Sequence, residues 1–517
     1  MMVVLCNLLI LALIPTHILA DENRLARLKS DVEYLCSPKL EGRNVPGKGG
    51  DLTSKWLGDT FRDIGLTPGA SATSFFQEFQ LLQSKIDTSI TTLTLYLPDR
   101  KVTLKWGTQF LLFPRKIANY ESELDVAYAH YGIKSDDLKR DDFGDKTNGK
   151  AALVLNGSGD LPPQRAGRHG MTPFKAAAAR RAGAELMAVL YTEDGDTWPP
   201  KSLQRKISDS EFPLTDLPNS KQEFLTVHIN SIPSEGHKNV GSNLNEDIFK
   251  LLAADSDNEK VRLHLNLVFK KPDIHVGRNV IGQIAGETDK YILFGAHYDH
   301  LGVQGISDEG NIIYYPGADD NASGVSVILE ISRLWKSREQ PKYGLIIVAF
   351  GAEEDGMLGS SYFADNLPSH KDKFLGMINL DMIGGNGFAS MRKLRQKNSV
   401  PDPDYTALYY SAASPDILNV AIGTGINAGL NIDFKAIGRF PFSDAGSFNS
   451  IGIPTISIFG GFHSGYSELN DTPEFINWNK LVKMVLLTDN LIINFNKLDS
   501  NIIFDQSLKT KSSKMRY

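Results

Sequence analysis

From residue 275 onward, short apolar runs alternate with segments of helical spacing, and the strongest runs end in histidine or acids. The runs NVIGQI (279–284), YILFGAHYD (291–299), LIIVAFGAEE (345–354) and FLGMINLDMIG (374–384) read as strands, with further strands at 404–410 and 453–459. Helical spacing occupies 323–336, a segment near 357–366, and 478–494. A strand apolar on both sides must be covered on both faces. The pattern therefore predicts an α/β fold with a mostly parallel central sheet flanked by helices. In such open sheets ligands bind beyond the carboxyl ends of the strands.

Those ends carry the chemistry. The first long run delivers His297, Tyr298, Asp299 and His300; the next delivers Glu353, Glu354 and Asp355; the third delivers Asp381. The loop GADDNASG (317–324) adds Asp319 and Asp320 ahead of a helix. Taken singly, each is ordinary: a Glu-Glu pair after a strand is commonly solvated, and two Asp before a helix complement its dipole. Gathered at one sheet edge, so many carboxylates repel unless cations offset them. Imidazole with carboxylate suits zinc, with manganese or cobalt as alternatives. The net charge of -6 and pI near 6.0 argue against a nucleic-acid partner, which needs a basic face. The basic tail Lys509, Lys511, Lys514 and Arg516 reads as a solvated end.

The rest of the chain divides around this region. Residues 1–20 read as a signal peptide: the apolar run 3–14 is too short for a bilayer anchor, Pro15 breaks it, and Ala20 is the cleavage position. The expected location is secreted or periplasmic, with no stable membrane span after removal of the signal. Of two cysteines, Cys6 lies in that segment, which leaves Cys36 alone, unable to form an internal bridge and expected to be buried. Leu25, Leu28, Val32 and Leu35 predict one helix, and Thr53 to Ile64 a second, closed by Gly65 ahead of Pro68. Strand-like runs follow at 91–97 and 110–113. A different unit begins near 120, with a strand at 151–156 and a helix, turn and strand over 174–195, before a Pro- and Ser-rich stretch to about 240. The expected division is 21–118 for a first part of the main domain, 119–240 for an insert, and 241–517 for the second part with the site. His169 and His228 in the insert are isolated and predict surface or packing roles. Oligomeric state has no signal in the sequence.

The motifs GAHYDHLG, GADDNASG, FGAEEDGMLGS and NLDMIG together resemble those of the co-catalytic zinc exopeptidases, the family of bacterial aminopeptidases and glutamate carboxypeptidases. YLCSPKLEGRNVPGKGG and FFQEF resemble secreted bacterial members, and residues 145–195 resemble the β-rich protease-associated domain inserted in many of them. The resemblance implies the zinc-exopeptidase fold, a peptide substrate and two zinc ions per chain. Carried onto this sequence, it makes His297 and Asp381 ligands of one ion, Glu354 a ligand of the other, and Asp320 the bridge. Glu353 becomes the general base, and Asp299 the partner that fixes the His297 tautomer. The family also brings a histidine to the second ion four residues before an Asp-Thr pair. Here the pair is Asp471-Thr472 and the position is Ser467, so His463 is the late imidazole that remains. Relatives carry Ser-Asp-His where this chain has Ser443, Asp444 and Ala445. The function implied is a zinc-dependent exopeptidase, in first place an aminopeptidase. The alternatives are an impaired or inactive binding protein on a peptidase fold, and a carboxypeptidase or dipeptidase, for which Arg439 lies in a plausible loop.

Overall fold

Branched and aromatic residues without a polar face form the strands that hold the site. Gly344–Phe350 is buried along its whole length, and Tyr291–His297 nearly so. The structure, a computed structural model, describes residues 15–508 except 113, 115, 162–166, 192–197, 199–213, 220–223, 231–260, 395, 397, 423, 425–427, 439, 441 and 442. The apolar run 3–14, the basic tail and Arg439 lie outside the described residues. The chain forms two units, residues 1–80 with 276–517, and residues 81–275.

In the first unit we label the strands β1 (Phe76–Ser84), β2 (Asp273–Ile284), β3 (Tyr291–His297), β4 (Gly344–Phe350), β5 (Phe374–Asp381), β6 (Tyr405–Ser411), β7 (Asn431–Ile437) and β8 (Thr455–Phe459). They lie in the order β1-β2-β4-β3-β5-β8-β6-β7. The central four are parallel, β4 to β3, β3 to β5 and β5 to β8. The β2–β4 and β6–β8 pairs are antiparallel. The helices are α1 (Pro15–Leu35), α2 (Lys48–Ile64), α3 (Gly324–Lys336), α4 (Leu358–Asp365), α5 (Ala445–Ile451) and α6 (Trp478–Asn496).

Strand alternation splits the core between two faces. Leu293, Ile346, Val348, Phe350 and Met377 cluster with Phe363 of α4 and Phe448 of α5. The alternate residues Ile292 and Phe294 are fully buried on the side left to α3, which packs on β3 and against α1 and α6. The expected helix closure holds: Gly65 takes a left-handed φ of 87° and its N–H bonds the Arg62 carbonyl. Cys36 is buried, and burial pushes its thiol up to about 12, so it is an inert core residue.

The second unit is wider at both ends than the 119–240 read from the sequence. Its sheet runs in the order 101–104, 92–96, 262–267, 120–128, 151–155, 186–191, 225–230, 110–112. The runs near 91–97 and 110–113, assigned by sequence to the main domain, pair here instead: 92–96 with 262–267, and 110–112 with 225–230. Those pairings join segments more than a hundred residues apart, which no local pattern announces. The helix Thr172–Arg181 links the parallel strands 151–155 and 186–191, as expected. His228 is buried with Nδ1 3.0 Å from the Tyr191 hydroxyl, a packing role. His169 lies in the short helix Gly167–Gly170.

Candidate metal centre

Parallel register brings the polar residues to one edge. His297, the last residue of β3, pairs with Phe350, the last of β4, so Glu353 and Glu354 follow just beyond. Asp381 ends β5 beside it. His297 is 1% exposed, and its Nδ1 lies 3.1 Å from the backbone carbonyl of Asp299. Nδ1–H donates there, which leaves the Nε2 lone pair facing outward. Nε2 is 3.4 Å from Asp320 Oδ1 and 3.5 Å from Asp381 Oδ1. Donors sharing one ion with bonds of about 2.0–2.2 Å and tetrahedral angles stand about 3.3–3.5 Å apart. The three residues therefore have the spacing of one ligand set.

A second group shares the same Asp320. His300, Asp320 and Glu354 offer donor atoms that all lie within 4.8 Å of one another. His300 Nδ1 is 2.8 Å from Glu354 Oε1. The bridge assigned by motif is thus the one carboxylate common to both groups among the described residues.

The loop carrying Asp320 is tied down on three sides. Asp471 Oδ1 accepts the Asp319 N–H at 3.0 Å and Asp471 Oδ2 accepts the Asp320 N–H at 3.1 Å. Asn321 donates to the Leu380 carbonyl at 2.9 Å, and its Oδ1 accepts from Gly324 and Met382. This clamps the loop to β5 on both sides of Asp381. Arg43, fully buried, donates to the carbonyls of Tyr298, Leu35, Pro316 and Gly317 at 2.6–2.9 Å. One guanidinium thereby fastens the end of β3 to the start of the aspartate loop. Sequence reasoning missed Arg43, Asn321 and Asp471 as supports; each sits inside or beside a quoted motif, which was the available signal.

Two expected roles are corrected. Asp299 does not fix His297 through its carboxylate, whose Oδ1 stands 3.9 Å from Nδ1. Its backbone carbonyl does that, while the carboxylate accepts the Glu353 N–H at 3.0 Å and the Glu354 N–H at 3.2 Å. Asp299 therefore shapes the turn that presents the two glutamates. His463 does not join either metal group. Its Nδ1 accepts the Gly465 N–H at 3.1 Å, and its Nε2 lies 3.1 Å from Asp319 Oδ2. Asp319 in turn accepts the N–H groups of Gly384 and Gly385. The reason is local geometry: the Gly465 N–H donates to Nδ1, and Nε2 faces Asp319 Oδ2. Ser467 adopts φ 55°, and Ala445 is buried at the start of α5.

The electrostatics suit cations. Burial opposes charge on His297, yet the carboxylates of Glu353, Asp320 and Asp381 overcome it and hold its pKa well above the ordinary value. Burial, with Asp444, Glu354 and Asp381 nearby, drives Glu353 well above the usual carboxylate range. Burial lowers His300 to about 4, which keeps it a neutral imidazole, the form that binds metals. Burial, and the charges of Asp320, Glu354 and Asp381, push the Tyr466 phenol up to about 12. Asp444, beside the missing histidine, is fully buried and pushed up to about 7, chiefly by burial.

Comparison with known proteins agrees with this geometry. Residues 279–491 match the family described as Peptidase family M28. A probable zinc metalloprotease of Pyrenophora teres f. teres (strain 0-1) is 33% identical over 132 residues, 25% of each chain. Aminopeptidase YwaD of Bacillus subtilis (strain 168) is 38% identical over 111 residues, 21% of this chain and 22% of that one. The matched stretch thus spans about a quarter of the length of these curated relatives. The solved aminopeptidase from Aneurinibacillus sp. strain AM-1 shares the fold at TM-score 0.51 and 18% identity, covering 93% of this chain and 95% of that one. The region 279–491, which holds every residue of both metal groups, is a domain of peptidase family M28, as the resemblance of its four motifs implies.

Proposed function

We propose that this chain is a zinc-dependent aminopeptidase that removes residues from peptides, working with two ions that share Asp320. The observation that carries this reading is the pair of donor groups meeting at Asp320, with Glu353 beside them and ligating neither. His297, Asp320 and Asp381 would hold one ion, and Asp320 with Glu354 the other. Zinc bound there supplies Lewis acidity, which acidifies a water and polarises the scissile carbonyl. Glu353 takes a proton from the attacking water and hands it to the leaving amine, a task its raised pKa suits. Asp299 holds Glu353 and Glu354 on one rigid turn, so that the base stays aligned while its neighbour binds. Tyr466, whose phenol feels the charges of Asp320, Glu354 and Asp381, keeps its proton at neutral pH. The aminopeptidase names of the Bacillus and Aneurinibacillus proteins support attack at the amino end. Export fits the apolar run 3–14 ahead of Ala20, and a mature amino terminus at Asp21 on the exported protein would support it.

Ser467 and Ala445 favour one competitor, a binding protein that has lost turnover. The retained Glu353 stands against it, since a binding surface has no use for a proton carrier. Aminoacyl-p-nitroanilides separate the two readings. Release should stop in chelator and return with zinc, and Glu353→Gln should keep its zinc while losing about 10²–10⁴ in kcat. Hydrolysis that ignores both chelator and Glu353→Gln would end the proposal.

A further inference from the structure

The late loop brings no imidazole to Glu354: among the described residues, His463 is turned to Asp319 and Gly465, and position 467 is serine. We infer that His300 supplies that imidazole, binding the second ion through Nδ1 together with Asp320 and Glu354. The inference rests on the zinc reading above and adds a ligand that the motif resemblance does not assign.

Three observations carry it. The first is placement: His300 Nδ1 stands 2.8 Å from Glu354 Oε1, in a group whose donors, Asp320 included, lie within 4.8 Å of one another. The second is the state of the ring. His300 is 0% exposed, and its Nε2 has no hydrogen-bond partner among the described residues. A buried histidine kept for packing alone normally satisfies both nitrogens. Among the described residues His228 Nδ1 meets the Tyr191 hydroxyl, whereas His300 Nδ1 meets a carboxylate of the site. The third is the fit of the backbone around it. A Cβ on Gly317 would lie 2.5 Å from His300 Cδ2, and Gly317 has φ 59°, so the aspartate loop is shaped to admit this ring. Binding an ion at Nδ1 places the ring's single proton on Nε2, which has no other hydrogen-bond partner among the described residues, so the ligand stays a neutral imidazole and protons balance.

A merely orienting His300, donating to Glu354 without touching the ion, is the competing arrangement. Both lower zinc affinity when His300 is removed. Zinc K-edge X-ray absorption separates them by counting imidazoles. In the full chain carrying His463→Ala and loaded with two equivalents of Zn²⁺, the inference predicts two bound ions and an average of one imidazole per zinc. An average of half an imidazole per zinc, from His297 alone, overturns it. His300→Ala should reduce bound zinc from two ions to one, while His297→Ala should leave the second site its imidazole. If His300→Ala fails to fold, the absorption measurement stands by itself, because it leaves His300 intact. One bound zinc in the unsubstituted protein overturns the inference but leaves the zinc peptidase reading on the His297 group. No bound zinc sinks both.

Discussion

Arg43→Ala tests whether the site is built on the support seen beneath it. The guanidinium is fully buried and donates four hydrogen bonds of 2.6–2.9 Å, with a fifth contact of 3.5 Å to the Asp320 carbonyl. Hydrogen bonds involving a charged group contribute about 1.5–3 kcal/mol each, so four give a ceiling of about 6–12 kcal/mol. The real loss is smaller. Neighbouring bonds are not additive, the buried charge itself costs desolvation, and water enters the space left behind. About 3–5 kcal/mol is the expected destabilisation, a large share of the about 5–15 kcal/mol that holds a folded protein. Arg43→Lys should recover only part of it, because one ammonium cannot span carbonyls from Leu35, Tyr298, Pro316 and Gly317. Urea unfolding of the chelated chain measures the loss, and zinc titration of the folded fraction measures the damage to the aspartate loop. A loss below about 1 kcal/mol with unchanged zinc affinity would refute the claim that this residue fastens the metal loops.

Other consequences are as direct. Asn321→Ala removes two hydrogen bonds that flank Asp381 and one to Gly324; it should weaken zinc binding by about 10–100-fold, measured by competition with a chromophoric chelator, and cost on the order of 1–3 kcal/mol of stability because these bonds are buried. In the second unit, burial holds His228 down at about 4, below its unfolded value of about 6.5. The unfolded chain then takes up a proton that the native state refuses. Stability is therefore full above about pH 6.5 and falls on the order of 3 kcal/mol as pH drops toward 4. Hydrogen exchange of strand 225–230 at pH 7 and pH 5 should show this, and His228→Gln should flatten the difference.

Much of the site was legible because two physical signals coincided. Apolar runs marked the parallel strands, and acids marked their carboxyl ends; β3, β4 and β5 lie where the runs predict, with His297, Glu353, Glu354 and Asp381 at one edge. What escaped reading was side-chain direction. The motif names Asp299 but cannot say that its carbonyl, not its carboxylate, meets His297. Spacing along the chain made His463 the natural substitute for a missing ligand, whereas the three-dimensional turn after β3 puts His300 against Glu354. Arg43 is 255 residues from Tyr298, and such a contact leaves no local trace. The second unit's sheet draws on segments outside 119–240 that local reading could not join, since 92–96 finds its partner at 262–267.

The central claim is that acids and imidazoles at the ends of β3, β4 and β5 hold zinc. An anomalous difference map from crystals of the zinc-loaded protein, collected at the zinc edge, tests it most directly. The account predicts a peak among His297 Nε2, Asp320 and Asp381, and another beside Glu354 sharing Asp320. Density at His463 and Asp319 with none at His297 would contradict it.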